Sequence, residues 1–426
     1  MSASMEENKK RKLDEEEDDM FGNNSNEEEQ KEPTVGDHPP NTPTSTAKAP
    51  VDSPSQPVAA KPSPKSAAKK PKLRRDNSGP ALFRLEDFTA LTSHMTQSRG
   101  KKQYQQDMPQ MVPDCSVVNP SLRDTRYAYF AVYDGHGGDF CARYLQRYLH
   151  VSLCTELEAA VEGLKQKKAE AAGAGAGGAE QGKKSEKETA AEEAKTEQAA
   201  MRNSFFTAFR KTDSALCQEC RSNKLGDGSC AITALVRGDT VWVGNVGDSK
   251  AVLGRAKAGA GVDADYKTIA LSKDHSPLVL KERQRIEKAG GKLEDGRVCG
   301  RLGVARSFGD ISVKKKGVIS QPDITKFTIT PEDRFMVLAC DGLWEKFTAN
   351  DCIAYVKKQI AEQWSIQKEE AARTVQTGLK AYDNKAESPV QTVCRRVSEK
   401  LVREAVLLRG AKDNVTVVVV LFGDGM

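Results

Sequence analysis

Three aspartates stand where an apolar, β-rich run meets a turn. Asp134 follows the run 127–133, Asp341 follows 334–340, and Asp413 immediately precedes 414–422. If the last two runs pair antiparallel as neighbours, both carboxylates fall at the same edge of one sheet. Like charges gathered there need a cation. Carboxylates with backbone carbonyls and water are the donor set that magnesium or manganese prefers, whereas zinc brings histidine or cysteine into contact with the metal. Any one of these residues alone is an ordinary strand-end aspartate, so the case rests on their shared position. Asp134 also opens Asp134-Gly135-His136-Gly137-Gly138. The glycines let the backbone approach an ion or a phosphate closely, and His136 is able to donate a proton near neutral pH. A lone histidine is more often structural. Between a carboxylate and a glycine pair, just ahead of a helix, it reads as a general acid.

The elements that must position these groups read as an α+β domain, with short β-rich runs bounded by Gly and Asp among helical stretches. The runs 230–236, 241–246 and 250–253, joined by Arg237-Gly238-Asp239 and Gly247-Asp248, predict a three-strand antiparallel meander. The nearly unbroken valines of 414–422 predict a strand buried on both faces. Helical spacing and end signals predict helices over 139–157, 201–221, 278–289 and 349–363; the third starts after Pro277 and stops at Gly290-Gly291.

Composition separates a folded part from the rest. The first 80 residues hold 11 of the 18 prolines and one aromatic, Phe21, while all three tryptophans lie later. Mean hydropathy of −0.59 is low for a chain that is globular throughout. The expectation is a disordered tail over residues 1–80 and a domain over 81–426. The tail carries the basic blocks Lys9-Lys10-Arg11-Lys12 and Lys69-Lys70-Pro71-Lys72-Leu73-Arg74-Arg75, an acidic run over 14–19, and Thr42-Pro43, Ser53-Pro54 and Ser63-Pro64. The basic blocks resemble nuclear-import signals and predict a nuclear or cytoplasmic location. Residues 165–200 are almost entirely Ala, Gly, Glu, Lys and Gln, which predicts a low-complexity insertion looping out of the domain, its Lys/Glu-rich second half extending the following helix. With 65 basic and 60 acidic residues nearly cancelling, no direct nucleic-acid binding is expected. No apolar segment suggests a signal peptide or a membrane span, and ten cysteines without a regular framework predict free thiols. Cys217 and Cys220 have metal-ligand spacing, but no partner pair completes a tetrahedral site.

The ordered motifs resemble the PP2C (PPM) family of metal-dependent protein serine/threonine phosphatases over residues 98–422. They are Tyr133-Asp134-Gly135-His136-Gly137-Gly138, Gly228-Ser229, Gly247-Asp248-Ser249, Asp274-His275, Val304-Ala305-Arg306-Ser307-Phe308-Gly309-Asp310, Gln321-Pro322-Asp323, Ala339-Cys340-Asp341-Gly342-Leu343-Trp344 and Asp413-Asn414-Val415-Thr416. The stretch from Lys273-Asp274-His275 to Arg297 resembles the integrin-linked-kinase-associated branch. The resemblance implies a four-layer αββα sandwich, two antiparallel sheets flanked by helices, with a binuclear Mg2+ or Mn2+ centre at one end. It implies that Asp134 bridges the ions, that Asp341 and Asp413 hold one and the Gly135 carbonyl the other, and that Asp248 with Asp341 forms a weaker third position. It further implies a water activated between the ions, His136 as the acid for the departing oxygen, and a monomer acting on phosphorylated proteins.

Departures from the family pattern fall in its first motif, here Lys102-Gln103-Tyr104-Gln105-Gln106-Asp107. Asp107 is kept as a metal-site carboxylate. Lys102 replaces the phosphate-binding arginine, so the two-point grip is lost or supplied in part by Arg99. Gln106 replaces a glutamate and adds no negative charge. Cys230 and Glu345 stand where threonine and aspartate are common. These departures motivate two other readings, a pseudophosphatase that binds phosphoproteins with little turnover and a nuclear adaptor working through its tail.

Overall fold

The computed structural model describes residues 91–174, 186–257, 265–377 and 387–423. The tail expected over residues 1–80, with its basic, acidic and Ser/Thr-Pro features, lies outside the described residues, as does the centre of the 165–200 segment. The strands are β1 (Leu91–Ser98), β2 (Met108–Val112), β3 (Tyr127–His136), β4 (Gly228–Arg237), β5 (Thr240–Val246), β6 (Lys250–Arg255) and β7 (Lys267–Ala270). Then follow β8 (Leu293–Glu294), β9 (Arg297–Val298), β10 (Phe308–Gly309), β11 (Asp323–Thr328), β12 (Asp333–Ala339) and β13 (Val415–Phe422). The longer helices are α1 (Phe140–Ala174), α2 (Glu186–Ser222), α3 (Leu280–Lys288), α4 (Ala349–Thr377) and α5 (Pro389–Arg403).

Two antiparallel sheets stack face to face. One has the order β1-β13-β12-β6-β7, the other β11-β5-β4-β3-β2 with β10 paired to β4. Side-chain alternation explains the layering. Along β3, Tyr127, Tyr129, Ala131 and Tyr133 pack under α1 and α2, while Ala128, Phe130 and Val132 fill the space between the sheets. Along β13, Val415, Val417, Val419 and Leu421 meet α4 and α5, while Val418, Val420 and Phe422 face the opposite sheet. Both strands therefore read as continuous apolar runs because both faces are covered. The architecture is the expected αββα sandwich.

The predicted three-strand meander is corrected. β4 and β5 pair, but β6 belongs to the other sheet, between β12 and β7. The chain crosses between the sheets at residues 247–249. Gly247 makes the crossing feasible, since its φ of +106° favours glycine and a Cβ there would lie 2.2 Å from Cys230 Sγ. α1 and α4 run longer than the spacing predicts, α3 is slightly shorter, and α2 extends back into the Lys/Glu-rich half of 165–200 as expected. α1 runs 35 residues and α2 37, both entering the Ala/Glu/Lys-rich segment, where Lys168 Nζ meets Glu193 Oε2 at 3.0 Å across the pair. These residue types are strong helix formers whether or not they bury a face. No described helix is long and apolar enough to cross a membrane, and all ten cysteines are free thiols.

A buried ion network fixes the segment 304–323 to α3. Glu282 is 5% exposed and receives Arg285 and both Nε and a terminal nitrogen of Arg306. Arg306 also donates to Gln321 O at 2.9 Å and Asp323 Oδ1 at 2.8 Å. Burial favours the neutral acid of Glu282, but the bonds and charges of Arg306 and Arg285 outweigh it and hold the carboxyl below its usual range. Its stabilising contribution is present above the unfolded carboxyl pKa and is lost as pH falls through the lower folded value. Glu282→Ala leaves Arg285 without a carboxylate and Arg306 with Asp323 alone, and is expected to cost about 3 kcal/mol in urea unfolding at pH 7. The gap between wild type and variant should shrink in acid; an equal gap at pH 7 and pH 3 would count against this network.

Candidate active site

The carboxylates are brought together by strand register. β12 pairs with β13 through Ala339↔Val417, so Asp341 and Asp413 emerge just past the last rung at one sheet edge. In the second sheet β3 runs three residues further than the sequence suggests, because Asp134, Gly135 and His136 pair with Cys230, Ser229 and Gly228. The crossing at 247–249 adds Asp248. Asp134, Asp248, Asp341 and Asp413 line one cavity of about 680 Å³, with Lys102, Gln106, Gly135 and His136 on its wall.

Local bonds hold each group in place. Asp341 heads a helical turn (Asp341–Trp344), and its backbone N–H, one of the donors a helix start leaves free, donates to Asp134 Oδ2 at 3.4 Å. Trp344 Nε1 ties that turn to Ala339 O at 2.8 Å. Asn414 staples the 99–106 segment to β13, since Nδ2 donates to Arg99 O (2.9 Å) and Tyr104 O (3.1 Å) and Oδ1 accepts from Gln106 N (2.8 Å). Two glycines permit contacts no side chain would allow. A Cβ on Gly135 would lie 2.3 Å from Gln106 O, and one on Gly342 would lie 1.9 Å from Asn414 O.

The sequence candidates do not all reach the cavity. Asp107 is 2% exposed, lies behind the wall and accepts from Thr416 Oγ1 at 2.8 Å. Lys102 Nζ reaches Asp413 Oδ2 at 2.9 Å, and this bond raises its pKa. Arg99 turns away to Gln103 O and does not line the cavity, so the structure does not place it as a stand-in for the missing arginine. Cys230 Sγ contacts Asp248 Oδ1 at 3.4 Å. Asp310 was quoted only as part of a motif, with no role, yet its Oδ2 lies 2.8 Å from His136 Nε2. No local spacing in the sequence signals this contact; in the structure Asp310 adopts φ 46°, a conformation Asp tolerates better than most.

The electrostatics suit a cation. Burial and the neighbouring Asp341, Asp107 and Asp248 push the Asp134 carboxyl well up. Burial and Asp248, Asp413 and Asp107 push Asp341 up likewise. Among the described residues no three His, Cys, Asp or Glu side chains already form a set that could hold an ion. Lys102 engages Asp413, and Thr416 engages Asp107. The donor chemistry nevertheless fits hard divalent ions: the wall offers carboxylates and the Gly135 carbonyl, and its one thiol, Cys230, is pushed far up by burial and is a poor ligand. Burial opposes a charged His136, but its bond to Asp310 and the charges of Asp310 and Asp248 outweigh this and raise its pKa. With Nε2 facing Asp310, Nδ1 is the nitrogen left for substrate.

The site is a carboxylate-lined cavity at the shared edge of two stacked sheets, with His136 on its wall. The sequence pattern of the family described as protein phosphatase 2C matches residues 99–388. The chain is 31% identical over 342 residues to protein phosphatase 2C 67 of Oryza sativa subsp. japonica, covering 79% of this chain and 76% of that protein. It is 31% identical over 338 residues to the integrin-linked kinase-associated serine/threonine phosphatase 2C of Bos taurus, covering 78% and 77%. A serine-threonine phosphatase 2C from Toxoplasma gondii shares the fold, with a TM-score of 0.56 at 22% identity over 80% of this chain and 98% of that one. The chain belongs to the protein phosphatase 2C family and is a protein phosphatase. Asp310 Oδ2 is placed to orient the His136 ring, so Asp310→Asn is expected to lower kcat on a phosphopeptide by about 10- to 100-fold with little change in KM. An unchanged kcat, with the variant folded by circular dichroism, would remove that role.

Proposed function

We propose that the chain hydrolyses phosphoserine and phosphothreonine on other proteins at this cavity, with two Mg2+ or Mn2+ ions. The observation that carries the reading is the gathering of Asp134, Asp341 and Asp413, from three distant segments, on one wall with the Gly135 carbonyl. Asp134 and Gly135 would hold one ion and Asp134, Asp341 and Asp413 the other, with Asp248 and Asp341 available to a weaker third. Bound there, such ions supply an activated water and offset the charge of the phosphoryl group. Asp107, buried, bonded to Thr416 and not on the cavity lining, would act through ordered water rather than by direct contact. Lys102 is a point charge able to leave Asp413 and meet the substrate phosphate, without the planar fork of an arginine. His136, oriented by Asp310, would donate its proton to the departing serine or threonine oxygen.

The test is phosphate release from a phosphothreonine peptide by the purified chain, with and without manganese. Asp134→Asn is expected to lower kcat by about a thousandfold, since several kcal/mol of charge stabilisation depend on it. Lys102→Arg should raise kcat/KM by about three- to tenfold by restoring a bidentate grip. Absence of release by the wild type in every divalent metal would overturn the reading.

A further inference from the structure

Three cations line the cavity: Lys102, Arg297 and Arg301. Lys102 is held by Asp413. Arg255, Arg283, Arg306 and Arg395 each meet a carboxylate elsewhere in the domain. Among the described residues, Arg297 and Arg301 meet none, although they stand on a wall shared with five aspartates, the four above and Asp310. An exposed arginine is usually just a solvated surface charge, and for most positions that suffices. Here the backbone argues otherwise.

Both arginines follow a tight turn in the same short hairpin. β8 and β9 are joined by Asp295-Gly296, with φ of 49° and 76°, and the next turn is Cys299-Gly300, with φ of 50° and 66°. Paired positive φ values are those of a type I′ turn, which fixes the direction of the residue that follows. The second turn is closed by Arg301 N to Val298 O (3.0 Å), Val298 N to Leu302 O (2.8 Å) and Cys299 N to Lys292 O (2.8 Å). Arg297 spends its guanidinium on this geometry, donating to Arg301 O at 3.1 Å. Its nitrogen also lies so near Gly303 that a Cβ there would be 3.6 Å away. The arrangement leaves Arg301 with a held backbone, an uncommitted guanidinium and a place on the cavity wall. The aspartates on this cavity come from other segments of the chain, and Arg301 is not among the groups assigned to the scissile phosphate.

We infer that Arg301 is a specificity-determining residue that binds a second anionic group on the substrate, a carboxylate or an additional phosphate close to the phosphoserine or phosphothreonine. A guanidinium matches either anion through two parallel N–H bonds. Arg297 holds the turn that presents it. The inference rests on the phosphatase reading.

Three phosphothreonine peptides decide it, alike except that the flanking residues are alanine, aspartate or phosphoserine. The quantity read is the ratio of kcat/KM for each anionic peptide to that for the alanine peptide, with manganese present. Wild type should favour at least one anionic peptide by about three- to tenfold, the range of an exposed charge-assisted contact, and the ratio should fall as salt is raised. Arg301→Ala should bring the ratio close to one, Arg301→Lys should keep part of it, and Arg301→Glu should invert it. Whichever of aspartate or phosphoserine is preferred identifies the anion. A wild-type ratio of one, or a preference that survives in Arg301→Ala, overturns the inference. If no peptide is turned over, the phosphatase reading falls instead, and fluorescence anisotropy of the same labelled peptides still shows whether Arg301 discriminates among them.

Discussion

Mutual repulsion among buried carboxylates is the constraint around which this domain is arranged. Asp107, Asp248, Asp341 and Asp413 each raise the proton affinity of a neighbour in the set, on top of the cost of removing Asp107, Asp134 and Asp341 from water. Strand pairing leaves little freedom to relieve that repulsion. Asp341 follows a strand in register with β13, and Asp134 lies within β3 opposite Cys230. The surroundings respond with donors. The Asp341 N–H serves Asp134, Thr416 serves Asp107, and the Lys102 ammonium serves Asp413. A buried charge is tolerated only with such partners, so these bonds belong to stability as much as to chemistry.

The same crowding explains why certain positions carry no side chain. Gly135 presses against the carbonyl of Gln106, and Gly342 against the carbonyl of Asn414. In both places a carboxylate-bearing backbone lies against a segment arriving from elsewhere in the sequence. Substitution would push those segments apart by more than packing tolerates, and the displaced atoms would be those that set carboxylate spacing. Asn414 works in the opposite sense, pulling the 99–106 segment onto β13 with three bonds. Closeness at the edge is thus imposed by contacts across long sequence separation, which are also the contacts that make the sandwich a single cooperative unit.

Much of this was legible in the sequence because chemistry and pattern coincided. The apolar runs flanked by Asp134, Asp341 and Asp413 gave both the strands and the cluster, and β12 and β13 are the antiparallel neighbours that a shared edge for Asp341 and Asp413 requires. Sheet membership was not legible. The pattern of 250–253 says that a strand exists, but nothing in it says which side of Gly247 it pairs on. β1 and β11 escaped notice because their exposed faces dilute the apolar signal; β11 has no fully buried residue. α5 escaped although its start was written plainly, with Ser388 and Gln391 forming a reciprocal cap and Pro389 in the first turn. Asp310 illustrates a different limit. Its contact with His136 spans 174 positions, and no local spacing encodes it.

The position of Lys102 bears on how the site changes state. Its ammonium lies 2.9 Å from Asp413 Oδ2 and offsets that carboxylate's charge. A cation that takes Asp413 must displace the ammonium. At the site proposed above, that exchange would lower apparent metal affinity, and Gln106, uncharged where a glutamate is common, would remove a further attraction. The displaced ammonium would then stand beside the proposed phosphate position, where a phosphorylated substrate would supply the missing anion. Metal and phosphate binding are therefore expected to favour one another through a single lysine: each stabilises the arrangement in which Lys102 has left Asp413, and linkage makes the effect mutual. An arginine in its place, already committed to a planar two-point grip, would bind phosphate more tightly but would exchange less freely with the carboxylate. The substitution thus exchanges part of the phosphate affinity for a coupling between the two ligands.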